Sequence, residues 1–241
     1  MEEGEAKRFI SRFAPAYWRQ LAPAEGLRRL CLIGVLKGEK SRPSKWVAHP
    51  SYENFREALR KALAEGPVEV YGSLEIHDLE TGKARGRILA FDVDADKNDL
   101  SNLKPVYEAW YLLRDELGVL ATVKLSGGGI HIEGPAVEGM EPKENAALAG
   151  YLEKRLGGKL KFCRKIYSEG RMFRLAWSWH AGRNCFAIPL HPDWLLEYSI
   201  EELRERARDS MVLEWIFDSL KVRAVEILQG TKPALCFHDL H

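Results

Sequence analysis

The chain has 241 residues, 46% of them hydrophobic and 29% charged, with 36 basic residues against 35 acidic ones. That is enough apolar material for a sizeable core, as one large domain or two modules sharing an interior. A net charge of +1 excludes a binder that works by bulk positive charge, although a local basic groove remains compatible with it. No apolar run approaches the ~20 residues needed to span a bilayer. The first residues, Met1-Glu2-Glu3-Gly4-Glu5, are acidic where a secretory signal is basic. Cys31, Cys163, Cys185 and Cys236 are scattered, which suggests reduced, mostly buried thiols and no zinc finger. The expectation is a soluble cytoplasmic protein.

In chain order, residues 5–20 predict a helix with Phe9, Ile10, Phe13 and Tyr17 at helical spacing, kinked or split at Pro15. Residues 27–36 predict a strand. Residues 37–45 predict a polar loop carrying Lys37, Lys40, Arg42 and Lys45. Ser51 caps a helix to about residue 64 with Phe55, Leu59 and Leu63 inward, ended by Gly66-Pro67. From 68 to 76, Val68, Val70, Gly72, Leu74 and Ile76 alternate with Glu69, Tyr71, Ser73 and Glu75, the pattern of a half-exposed strand. Thr81-Gly82 turns the chain into a strand over 87–94.

Ser101 or Asn102 starts a helix to about residue 117. Leu103, Val106, Trp110, Leu113 and Leu117 share one side, Pro105 falls in the first turn, and Gly118 stops it. Strands over 121–125 and 130–133 flank a glycine turn. Pro142 opens a helix ending at Gly157-Gly158. Short strands are expected over 160–163, 172–176 and 185–190. Ser199-Ile200-Glu201-Glu202 has capping-box spacing for a C-terminal helical segment. These elements predict a mixed α/β fold, a mixed sheet with helices on it, in a single domain 1–241: an N-terminal α/β portion over about 1–84, a motif-bearing sheet over about 85–195, and a helical segment over about 196–241.

Three segments carry polar groups suited to chemistry. In the strand ending Phe91-Asp92-Val93-Asp94, two carboxylates two residues apart point to one face, about 6.6 Å apart at Cα. From there short acid side chains can converge on divalent ions about 3.5–4 Å apart. Surface acids opening a turn are the plainer reading, and Asp96 suits solvation or capping better than ligation. Ser126-Gly127-Gly128-Gly129-Ile130-His131 offers open backbone N–H groups and a donor as an anion cradle. It also reads as a simple hairpin turn, without the ending of a P-loop. The third segment runs from Arg171 to Arg183. On a continuous strand Arg174, Ala176, Ser178 and His180 would share a face and could flank one phosphate chain, or form an edge strand with solvated arginines.

The order of these segments resembles the archaeo-eukaryotic primase superfamily, most closely the small catalytic subunit of archaeal DNA primase. There an Asp-x-Asp strand is followed by a Ser-Gly-rich-His loop and an Arg-Leu-Ile-Arg-x-Pro-x-Ser-Leu-His-Gly stretch. The resemblance covers roughly residues 27–190 and includes Ser44-Lys45-Trp46-Val47-Ala48-His49 and the segment from Pro67 to Ser73. It implies a primase-polymerase-type fold with an RRM-like sheet, and a nucleotidyltransferase that makes or extends a primer. Asp92 and Asp94 would hold catalytic Mg²⁺ or Mn²⁺. Ser126, Gly127, Gly128, Gly129, His131, Arg174 and His180 would contact the triphosphate. Apart from the resemblance, the charge of Lys37, Lys40, Arg42 and Lys45 suits tracking a DNA or RNA template, or simply a solvated loop. A larger primase subunit or other replication or repair proteins would be partners.

The sequence departs from that pattern in three ways. Phe162 aligns with the third metal-site carboxylate, for which Glu169 is a substitute. The Ser-Gly…His loop is shorter and lacks arginines. The zinc-binding insertion is missing. The first departure keeps open a catalytically degenerate relative that binds nucleotide or single-stranded nucleic acid. An end-joining polymerase of the same superfamily is a third reading. Cys236, His238, Asp239 and His241 could bind a metal at the tail, or fray.

Overall fold

The computed structural model describes residues 3–37, 40–43, 47–66 and 68–208, with the side chains of residues 3–9, 12, 37 and 40–43 left aside. Its helices are α1 (Glu3–Leu21), α2 (Tyr52–Glu65), α3 (Lys104–Asp115), α4 (Pro142–Arg155), α5 (Trp194–Glu197) and α6 (Ile200–Arg206). Its strands are β1 (Leu27–Lys37), β2 (Lys40–Pro43), β3 (Val68–Asp78), β4 (Ala84–Asp94), β5 (Thr122–Leu125), β6 (Gly129–Glu138), β7 (Met172–Arg174), β8 (Trp179–His180), β9 (Cys185–Phe186) and β10 (Ile188–Leu190). One sheet runs β10-β5-β6-β4-β3-β1-β2, with β7 added on β3, while β8 and β9 pair separately. All its neighbours are antiparallel. The parallel relation is between β4 and β5, joined through α3 and separated by β6.

The sheet curls because β3 changes partner. It pairs with β4 only at Glu75↔Arg87, Ile76↔Gly86 and His77↔Ala84. Then β4 splays away and β7 takes the vacated edge at Tyr71↔Arg174, Gly72↔Phe173 and Ser73↔Met172. Helices cover one face. The main core joins Tyr17, Phe55, Leu59, Val106, Leu113 and Leu152 to Val70, Leu89, Phe91, Val93, Val123, Leu125, Ile130 and Ile132. By strand alternation, Asp92, Asp94, Lys124, His131 and Glu133 then lie on the other face. A smaller apolar cluster there contains Leu74, Ile76, Ile88, Ala90, Ile166 and Phe173.

Several expectations change. α1 runs through Pro15 as one helix, since Ala14 and Tyr17 are fully buried and tertiary packing offsets the missing N–H. Part of the expected loop is β2, which extends a hairpin with Gly34↔Pro43 and Lys37↔Lys40 in register. Lys45 and the whole tail from residue 209 lie outside the described residues, as do the side chains of Lys37, Lys40 and Arg42. β3 is not half-exposed: Glu69 and Ser73 are buried, because β7 and the polar interior cover that face. Residues 160–163 form no strand. The stretch 171–183 is not one strand either, for β7 ends at Arg174 and the chain turns at Trp177, where φ is 73°. Ser199 does cap α6, in a capping box with Glu202. No described helix is long and apolar enough to cross a membrane.

Candidate active site

Asp92 and Asp94 end β4 in register with His131 and Gly129 of β6. The coil before β7 is fastened beside them. The Asn98 amide donates to Asp94 O (2.9 Å) and Lys161 O (3.0 Å) and accepts from Lys161 N (2.8 Å). Cys163 N then donates to Asp92 O (2.8 Å). Phe162 faces the helical core, against Phe91 at 5.3 Å between centroids, so the next residue, Cys163, faces the acids. Donor atoms of Asp92, Asp94 and Cys163 all lie within 4.8 Å of one another. Glu169 is elsewhere, lining a cavity of about 760 Å³ with Arg85, Gly86, Arg87 and Glu75 at the opposite end of β4. Cys163, not Glu169, therefore completes the three-ligand group among the described residues.

Burial and then the neighbouring Asp94 push the Asp92 carboxyl up to about 7, despite relief from Cys163, Lys97 and Lys124. Burial also raises the Cys163 thiol. Two acids and a thiol, crowded and half-desolvated, are under-neutralised, and a divalent cation fits that deficit. His131 Nε2 lies 3.5 Å from Asp92 Oδ1, with the ring stacked on Phe173 at 3.8 Å between centroids. Burial, then Lys124, Arg174 and Arg29, hold His131 well below the usual histidine range. Its buried Nδ1 has no hydrogen-bond partner among the described residues.

Behind His131 sits a cationic floor that sequence reading passed over. Lys124 pairs with Glu133, Arg29 lies 3.7 Å from the same carboxylate, and all three are buried or nearly so. Burial works against the Glu133 charge, but Lys124 and Arg29 prevail and hold it ionised. Period-two alternation of Lys124 with Val123 and Leu125 was the available signal.

The glycine turn is shaped by its neighbours. Ser126 Oγ donates to Gly129 O (3.0 Å) and accepts from Gly129 N (3.1 Å), so the hydroxyl closes the turn. The amides of Gly127 and Gly128 have no acceptor among the described residues. Their carbonyls are held by buried Arg204 of α6, at 2.9 Å and 3.3 Å. Gly127 (φ +90°) leaves room for the His180 ring, and Gly129 for the Val93 carbonyl. Burial, then Arg174, push His180 down to about 4, and its buried Nδ1 also lacks a hydrogen-bond partner among the described residues.

Arg174 donates to Glu69 Oε1 (2.8 Å), Trp179 O (2.6 Å) and the Tyr71 hydroxyl (2.6 Å). The turn at Trp177, rather than strand periodicity, thus brings Arg174 and His180 together. The expected residues Asp92, Asp94, Gly127, Gly129, His131, Arg174 and His180 form one contiguous surface by these contacts. Glu169 does not join it.

No protein-family profile and no curated protein matches this sequence. Among solved structures, the polymerase domain from Mycobacterium tuberculosis Ligase D, in complex with DNA, is similar with a TM-score of 0.56 at 16% identity. The likeness covers 88% of this chain and 92% of that one. It shows a primase-polymerase-type fold, and does not single out the archaeal small primase subunit.

Proposed function

We propose that this chain is a metal-dependent nucleotidyltransferase of primase-polymerase type, synthesising or extending a primer on a nucleic-acid template. The observation that carries the reading is the Asp92–Asp94–Cys163 group facing His131 and the glycine turn, within that fold. Divalent ions, for which the family resemblance implies Mg²⁺ or Mn²⁺, would supply charge neutralisation and Lewis-acid polarisation at the reacting phosphate. Asp92, Asp94 and Cys163 are the residues that would hold them. The free amides of Gly127 and Gly128, the unpartnered nitrogens of His131 and His180, and the charge of Lys124, Arg29 and Arg174 suit a triphosphate. A primer 3′-oxygen forms a bond to the α-phosphorus, the bond to pyrophosphate breaks, and the hydroxyl proton is released. Positioning and charge neutralisation carry most of such catalysis.

DNA as template is supported by the Ligase D domain, a polymerase in complex with DNA. An end-joining polymerase is a variant of the same reading, marked by affinity for a 5′-phosphate at a gap or break. Replication or repair proteins, a larger primase subunit among them, are the proposed partners, and the cytoplasm the proposed location. A second reading, a degenerate nucleotide or nucleic-acid binder, is favoured by a thiol standing where a third carboxylate is expected. Primer extension with labelled nucleotides and Mn²⁺ separates the two. Extension that falls at least about 100-fold in Asp92→Asn and Asp94→Asn is expected; no extension by the wild-type chain, with nucleotide binding retained, selects the binder.

A further inference from the structure

We propose that Cys163 binds metal as a thiolate, making this centre select a thiophilic divalent ion over Mg²⁺. The inference deepens the proposed function by naming the ion class, but it rests on the ligand set itself. Three observations carry it. The Cys163 sulfur belongs to the same cluster as the two carboxylates, with all donor atoms within 4.8 Å. Its position is built rather than incidental: Cys163 N is tied to Asp92 O, the preceding coil is stapled by Asn98, and Phe162 anchors the chain in the core against Phe91. The Lys97 ammonium lies 4.0 Å from Cys163 Sγ, so the sulfur is turned toward the polar groups of the site rather than into the apolar core.

Hard ions tell against the alternative. Mg²⁺ demands near-octahedral oxygen coordination and Mn²⁺ too suits oxygen donors, whereas sulfur donors favour softer ions such as Zn²⁺ and Cd²⁺, with Co²⁺ above Mn²⁺ in affinity at a given site. On binding, one metal–sulfur bond forms and the thiol proton goes to solvent. A two-carboxylate, one-thiolate set keeps positions open for substrate oxygens, as a catalytic centre requires.

The test uses the full chain carrying Cys236→Ser, so that the tail thiol contributes nothing, and titrates Co²⁺ under reducing conditions. A thiolate-to-cobalt charge-transfer band in the near ultraviolet is expected, displaced by Zn²⁺ and resisted by Mg²⁺ at a large excess. Cys163→Ser should abolish the band and weaken Co²⁺ binding by about 10- to 100-fold, while Cys163→Asp should improve Mg²⁺ competition. Should the serine variant fail to fold, alkylation of the reference chain replaces it: Co²⁺ should slow modification of Cys163, read by peptide mass spectrometry. Absence of the band, or alkylation at Cys163 unchanged by Co²⁺, overturns the proposal. A band without primer extension under any ion would sink the polymerase reading and leave the ligand assignment standing. Extension without a band does the reverse.

Discussion

Three adjacent glycines do three different jobs, and substitution should separate them. A Cβ at Gly129 would meet the Val93 carbonyl, which is backbone and cannot step aside without parting β4 from β6. At Gly127 the left-handed φ of +90° and the His180 ring both oppose a side chain, with the dihedral alone worth about 1–3 kcal/mol. Gly128 faces open space. Thermal unfolding should therefore show Gly127→Ala and Gly129→Ala clearly destabilised and Gly128→Ala near wild type; equal losses at all three would refute this division. His180 makes a prediction in pH. Its folded value near 4 lies below the ordinary 6.5, so the unfolded chain takes up a proton first as pH falls. Its share of stability is present above about 6.5 and is lost between there and about 4. Discounted for partial exposure, the loss is about 1–2 kcal/mol. His180→Gln should remove that much of the acid slope in denaturant titrations at the two ends of the window, and an unchanged slope would reject it.

At the scale of elements, what positions the glycine turn is a helix far away in sequence. Arg204 of α6 is buried, pairs with Glu201, and reaches back to the carbonyls of Gly127 and Gly128. The Ser199–Glu202 capping box sets where α6 begins and so where Arg204 lands. Arg204→Met keeps most of the packing volume while removing both charge-assisted bonds, each worth roughly 1.5–3 kcal/mol in a buried setting. Nucleotide affinity should fall as the turn loosens, whereas Co²⁺ binding at Asp92, Asp94 and Cys163 should persist, because those residues hang from β4 and Asn98. Calorimetry on both ligands checks this, and parallel losses would mean that α6 supports the whole site. The capping box was legible in the sequence, since it is a local signal four residues long. Its consequence was not: no periodicity links Arg204 to Gly127, 77 positions away. The same limit explains Cys163. Alignment by motif order places Phe162 at the third ligand position, and only the coil's course shows which of two neighbours faces the acids. The helix and strand cores, the Asp-x-Asp strand end and the hairpin around the glycines were readable, because each follows from local period and turn chemistry. Strand periodicity predicts Arg174 and His180 spaced along one face; the turn at Trp177 brings them together instead.

For the whole molecule, the division into an N-terminal portion and a motif-bearing sheet is crossed by buried and partly buried polar contacts. The Tyr17 hydroxyl donates to Trp177 O (2.6 Å), Val70 N donates to Ser178 Oγ (2.7 Å), and Glu69 and Tyr71 bind Arg174. β3, from the first portion, is the strand on which β7 and the start of β4 are laid down. The left-handed Trp177 is a conformation that a bulky residue adopts only under such constraint. Residues 1–84 and 85–208 should accordingly fold as one cooperative unit. Urea unfolding followed by tryptophan fluorescence and by far-ultraviolet circular dichroism should give coincident curves. Tyr17→Phe, which leaves the buried Trp177 carbonyl without that donor, should shift both midpoints together by an amount equivalent to about 1–3 kcal/mol. Two separated transitions, or a shift in one probe alone, would show two independently stable portions; so would a fragment 85–208 that folds by itself, since it lacks the strand that carries β7 and hence the scaffold for Arg174 and His180.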